Sequence, residues 1–166
     1  MLTNKIEESG IITINLEDYY PKAEICIINI KDFLYQGLVL QEKNFREQVA
    51  QIDTAKYLQK HVCINNIIEA IVPIWAYMLL RLHVEDVAKS VWVGNLDTFL
   101  FDYYQKETEK IDFATYTQAR VMLKGCGKKQ VPPTVYALWA SKLKPEVKSL
   151  FFGEACAAVP LYKAKK

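Results

Sequence analysis

VCINNIIEAIVPIWAYMLLRLHVEDVAKSVWVG, residues Val62–Gly94, returns 59 residues later as VMLKGCGKKQVPPTVYALWASKLKPEVKSLFFG, residues Val121–Gly153. The two stretches share Val62/Val121, Val72/Val131, Pro73/Pro132, Tyr77/Tyr136, Leu79/Leu138, Lys89/Lys148, Ser90/Ser149 and Gly94/Gly153. Composition alone gives roughly two matches over such a length. Several mismatches keep their chemistry, as in Ile64/Leu123, Trp92/Phe151 and Val93/Phe152. Convergence of two strand–helix–strand units would produce part of this likeness, but either origin predicts the same architecture.

In the first copy, His61–Asn66 reads as a strand and Pro73 as the entry to a helix over Ile74–Val87, since proline is tolerated in a first turn. Trp75, Tyr77, Met78, Leu79, Leu80 and Leu82 leave that helix apolar on nearly every face, as in a helix buried on more than one side. Ser90–Gly94 is the closing strand. In the second copy, Ala119–Lys124 is the strand and Gly125-Cys126-Gly127 the turn. Pro132 and Pro133 open the helix, and Ser149–Gly153 closes the unit. Val135, Leu138, Trp139, Leu143 and Val147 recur at helical spacing, with Pro145 placed to end the helix.

Outside the copies, Ile11–Leu16 reads as an edge strand, Ala23–Ile30 as a strand, and Asn44–Ile52 as a helix. Asp97–Lys110 reads as a helix capped by Asp97. Alternating strands and helices predict an α/β fold: one mostly parallel sheet with helices on both faces, a Rossmann-like three-layer sandwich. Residues 1–166 are expected to form a single domain, with 1–60 as a strand and helix extension before the repeat 62–94 and 121–153. Ligands of such sheets lie at the carboxyl edge, where the loops after the strands gather.

Basic residues exceed acidic ones by 21 − 19 = 2, so no charge footprint for nucleic acid is present. No apolar run reaches the ~18 residues needed to cross a bilayer. The opening MLTNKIEESG lacks the apolar core of a secretory signal, and the four cysteines do not form a staple pattern. A cytoplasmic protein with reduced thiols is expected.

The strongest chemical candidate is Lys124-Gly-Cys-Gly-Lys-Lys129, after a strand and before a helix. Gly125 and Gly127 permit close backbone approach, and Lys124, Lys128 and Lys129 would stabilise a thiolate at Cys126. Gly153-Glu-Ala-Cys-Ala-Ala-Val-Pro160 places Cys156 after the next strand. If the two strands are neighbours, Cys126 and Cys156 reach one edge, where with Glu154 they suit a soft metal, an iron–sulfur precursor or a redox pair. No C-x-x-C spacing or histidine cluster accompanies them, and His61 is expected at the opposite end of its strand. Solvated lysines around a small residue in a cramped turn explain the same loop without function. Cys26 and Cys63 read as core, and His83 as a surface residue near a helix C-terminus. No catalytic triad order, phosphate loop or dinucleotide fingerprint occurs.

The segments IITINLEDYYP, IKDFLYQGLVLQEKNFRE, AIVPIWAYMLL, KGCG and FGEACAAVPLYK resemble DUF2480, an uncharacterised Bacteroidetes family, over about Ile11 to Lys163. The resemblance implies a bacterial cytoplasmic protein and an association with genes of iron–sulfur cluster assembly; it carries over no catalytic residues. Three functions stay open. One is an accessory binding protein for iron–sulfur or sulfur handling. Another is an enzyme with Cys126 as nucleophile, or Cys126 with Glu154 in acid–base work, on a small anionic ligand held by Gly125, Gly127, Lys128 and Lys129. The third is an interaction module, with Trp92, Trp139, Phe151 and Phe152 at a homodimer or partner interface. The sequence names no cofactor.

Overall fold

The computed structural model describes residues 10–125, 127–154 and 157–165. Among the described residues, seven strands and four α-helices follow in chain order: β1 (Ile11–Ile14), β2 (Ile25–Asn29), α1 (Glu42–Ala50), β3 (His61–Asn65), α2 (Ile74–Val84), β4 (Ser90–Val93), α3 (Leu96–Thr108), β5 (Arg120–Lys124), α4 (Pro133–Leu143), β6 (Ser149–Gly153) and β7 (Val159–Lys163). Short 3-10 turns follow β1 and β2 at Leu16–Tyr19 and Ile30–Phe33. Two more precede β3 and β5 at Thr54–Tyr57 and Phe113–Tyr116.

The fold is mixed α/β with mostly parallel pairing, but the expected single sheet is two: β2-β3-β4 and β1-β5-β6-β7. The chain divides accordingly into two compact units, Pro21–Phe99 on one side and Met1–Tyr20 with Leu100–Lys166 on the other. Hydrophobic periodicity reports which residues face inward within an element. It does not report which strands share a ladder, and that is why one sheet was expected.

In the unit Pro21–Phe99, β2 and β4 both run parallel to β3, with Ile25 opposite His61 and His61 opposite Ser90. Ile28, Val62, Ile64 and Val91 supply the sheet side of its core, met by Phe45 and Val49 of α1 and by Ala76, Leu80 and Val84 of α2. Residues 76, 80 and 84 lie four apart, so they form one face of the helix. Burying each Leu- or Val-sized side chain contributes about 1.5–3 kcal/mol before entropy is counted. β3 is buried along both faces apart from Asn65, as a central parallel strand should be.

In the other unit, β1 lies at the edge as expected, parallel to β5, and β5 is parallel to β6. Val121, Leu123 and Leu150 of the sheet, Val135, Trp139 and Leu143 of α4 and Tyr104 of α3 are all buried. β7, which the sequence reading missed, adds antiparallel to β6 and carries Pro160 on the sheet's outer edge, where a missing N–H is tolerated.

Three local expectations change. Helix α2 stops at Val84 rather than Val87: the Val87 N–H donates only three residues back, to the Val84 carbonyl at 3.3 Å, and the Val87 carbonyl accepts from the Gln59 N–H at 2.9 Å. The cap of α3 is Asn95, whose Oδ1 accepts from the Thr98 N–H at 2.8 Å, and Asp97 lies inside the helix. Trp139 is fully buried, which removes it from any interface.

Candidate functional site

Because β1, β5 and β6 are parallel, their carboxyl ends deliver three loops to one edge. β1 ends in Asn15-Leu16-Glu17, where Asn15 Oδ1 accepts from the Glu17 N–H at 3.2 Å and holds the 3-10 turn. The turn is tied down from α3, since the buried Tyr104 hydroxyl donates to the Leu16 carbonyl at 2.7 Å. Burial pushes the Tyr104 phenol well above its ordinary range, with lesser contributions from Tyr20, Tyr136, Tyr103 and Glu17. β5 and β6 are neighbours in register, with Lys124 opposite Gly153, and the Gly125 N–H donates to the Gly153 carbonyl at 3.3 Å.

Each glycine here has a steric reason. A Cβ on Gly125 would stand 2.6 Å from Phe152 Cζ, whose ring packs edge-on against Tyr136 at 5.4 Å. A Cβ on Gly127 would collide with the Glu17 carboxylate. Gly153 has φ +119°, and a Cβ there would approach the Ala157 carbonyl oxygen to 2.7 Å. The Lys129 backbone N–H donates to Glu17 Oε1, and Lys129 Nζ lies 5.1 Å from the Tyr20 ring centroid. Gly127 and the Lys129 amide therefore both stand against a carboxylate of the same chain. Sequence reading missed Glu17; the signal was present in INLEDY (14–19) and INIKDF (28–33), each following an apolar strand.

Lys128 and Lys129 are exposed, and Glu154 is half-buried directly after β6. Cys126 and Cys156 lie outside the described residues. Cys63 is fully buried as expected, and burial pushes its thiol up to about 11. Cys26 is not core. It is partly exposed on β2, and its Sγ is 3.8 Å from Glu24 Oε1, which shares its carboxylate with Lys60 at 2.8 Å. His61 begins β3 at its amino end, buried, with Nδ1 2.7 Å from Ser90 Oγ. Burial and then Lys89 hold its imidazole below the ordinary value. Among the described residues, no group of three or more His, Cys, Asp or Glu is arranged to hold a metal ion. The carboxyl edge of β2-β3-β4 also carries a cleft of about 610 Å³, lined by Lys31, Gly37, Leu38, Ile67 and Glu69 among others.

The family described as Protein of unknown function (DUF2480) matches residues 1–164. The chain belongs to this family. A search of curated proteins returns no match, and neither does a search of solved structures. Among the described residues, no helix is long and apolar enough to cross a membrane.

Proposed function

We propose that this DUF2480 protein is a cytoplasmic bacterial accessory protein that binds a thiophilic group, a soft metal ion or a sulfur species destined for iron–sulfur chemistry, at the carboxyl edge of β1-β5-β6. Cys126 and Cys156 are the thiol ligands, with Glu154 and Glu17 as carboxylates beside them. One observation carries this reading: β5 and β6 are adjacent and parallel, and the pair Lys124 and Gly153 starts the two cysteine-bearing loops side by side. Two thiolates and carboxylate oxygen suit zinc or iron more than magnesium or calcium. Lys124, Lys128 and Lys129 favour the deprotonated thiols such binding requires. The enzyme alternative is weaker on the same ground. Glu17 already accepts from the Lys129 amide, the kind of donor a small anionic substrate would use.

We also infer that the chain is a tandem duplication of one strand–helix–strand unit. Four features support it at the constant spacing of 59. Asp53 and Asp112 each accept from the N–H two residues on, at 3.1 and 3.0 Å. Gln59 and Gln118 have φ of 55° and 58°. Their N–H groups donate to the Val87 and Glu146 carbonyls, both at 2.9 Å. Ala76, Leu80 and Val84 are matched by Val135, Trp139 and Leu143, all fully buried.

The test is metal content by mass spectrometry on anaerobically purified protein, beside the double variant Cys126→Ser/Cys156→Ser. Near-stoichiometric zinc or iron in the wild type that is lost in a folded double variant supports the site. Equal metal content in both sinks it.

A further inference from the structure

The cleft at the carboxyl ends of β2 and β3 has a counterpart in the other unit, and the counterpart is filled. Ile25 of β2 stands opposite His61, and Ile11 of β1 stands opposite Arg120, the residue that matches His61 in the repeat. β2 and β1 therefore hold equivalent places, and the 3-10 turns Ile30–Phe33 and Leu16–Tyr19 follow them in step. Lys31 thus matches Glu17. In the loops after β3 and β5, Ile68 matches Gly127, Glu69 matches Lys128 and Ala70 matches Lys129. In the β1 unit these positions hold a carboxylate, since Glu17 stands against Gly127 and accepts from the Lys129 amide. In the β2 unit Lys31, Ile68 and Ala70 instead line the open cleft of about 610 Å³, a volume within the range of small-molecule sites.

Backbone and amide hydrogen bonds fix both walls. On one side, Tyr35 and Val39 bridge a closed turn, with the Tyr35 N–H donating to the Val39 carbonyl at 2.8 Å. Gln36 and Gly37 take φ of 52° and 71° inside it. The Lys31 stem passes Gly37, where a Cβ would stand 3.2 Å from Lys31 Cε. On the other side, Asn65 Nδ2 donates to Asn29 Oδ1 at 3.1 Å, tying the ends of β2 and β3 together. Asn65 Oδ1 accepts from the Ile67 N–H at 3.2 Å. None of these bonds uses the two charges of the lining. Among the described residues, neither Lys31 nor Glu69 has an ion-pair partner.

We propose that this cleft binds a small aliphatic zwitterion of the α-amino acid class. Lys31 takes the carboxylate, at the place where the equivalent loop of the same chain already lodges one. Glu69 takes the ammonium group. Leu38, Ile67 and Ile68 supply apolar surface for an aliphatic side chain. A lining with one cation and one anion selects a ligand that carries both signs: a phosphate would face Glu69, and a hydrocarbon would leave both charges unanswered. The site involves neither Cys126 nor Cys156, so it stands or falls apart from the thiol reading.

The experiment is titration of the isotope-labelled full chain with L-leucine, followed by backbone amide shifts. Isocaproate, which lacks the ammonium, and isoamylamine, which lacks the carboxylate, are run beside it. Leucine at millimolar concentration should shift amides within 31–38 and 67–70 and bind more tightly than either analogue. Lys31→Met should weaken leucine by about tenfold or more, the usual cost of losing a charged hydrogen-bond partner, while Lys31→Arg keeps the charge and should retain binding. Glu69→Gln should weaken leucine but leave isocaproate bound no worse. Lys43→Met, an exposed change on α1, should alter nothing. The amide spectrum of each variant reports its fold in the same measurement. Absence of leucine shifts, shifts confined to other segments, or isocaproate binding as tightly as leucine to the wild type would overturn the proposal. So would wild-type leucine affinity in Lys31→Met or Glu69→Gln.

Discussion

Tyr104→Phe removes one oxygen atom from a fully buried ring, and the structure fixes what that oxygen does. The hydroxyl donates to the Leu16 carbonyl at 2.7 Å, joining α3 to the turn after β1 across 88 residues of sequence. The ring itself is not at stake, because phenylalanine fills the same volume; at the matching position of α1 the chain already buries Phe45 completely. The cost is therefore that of a lost hydrogen bond leaving a buried carbonyl short of a donor, about 1–3 kcal/mol. It should stay below the roughly 3–5 kcal/mol of deleting a whole buried ring. A pH signature follows as well. The folded-state phenol titrates above its unfolded value of about 10, so its stabilising contribution is complete below that pH and falls as pH rises past it. Each unit of pH above about 10 removes about 1.4 kcal/mol per such group. Tyr19, Tyr57, Tyr77 and Tyr103 are also raised, chiefly by burial, and they steepen the same limb. Urea unfolding followed by circular dichroism should show Tyr104→Phe less stable at neutral pH and losing less stability on going alkaline. A wild-type midpoint at neutral pH, or an alkaline loss parallel to the wild type, would refute the reasoning.

Acid should act through His61. Its imidazole is depressed in the fold, so its contribution is present above the unfolded value of about 6.5 and is lost as pH falls toward the lower folded value. Unfolding curves for His61→Gln should be flatter than wild type across that window. Gly153→Ala should cost about 1–3 kcal/mol, because φ +119° is strained for alanine and its Cβ meets the Ala157 carbonyl; an unchanged melting temperature would contradict this. Asp53→Ala and Asp112→Ala should each cost about 1 kcal/mol, and nearly the same amount, since both carboxylates make the same short cap. Unequal losses would speak against equivalent roles for the two turns.

Helical spacing in Ala76-Leu80-Val84 and Val135-Trp139-Leu143 made the inner faces of α2 and α4 legible, and prolines at 73 and 132 marked where both begin. The parallel pairing was legible from strand–helix alternation. The division into two sheets was not, because β1 finds its partner β5 across more than a hundred residues, with a complete sheet in between. Gly125 and Gly127 announced a crowded loop, but not what crowds it: Phe152 is remote in sequence and Glu17 more so. The outward face of α2, where Ile74, Met78 and Leu82 are exposed, was misread for a simpler reason. Apolar residues on nearly every side suggest burial, and sequence gives no account of which side water occupies.

The split of one unit around the other sets a timetable for synthesis on the ribosome. Every strand of β2-β3-β4 has emerged before β5 is translated, whereas Ile11–Ile14 emerges first and must wait for Arg120–Leu123. For that interval β1 is an unpaired apolar segment of the nascent chain, the kind of exposed edge that invites wrong pairing. Its four residues, one of them threonine, keep that hazard brief in length even where it is long in time.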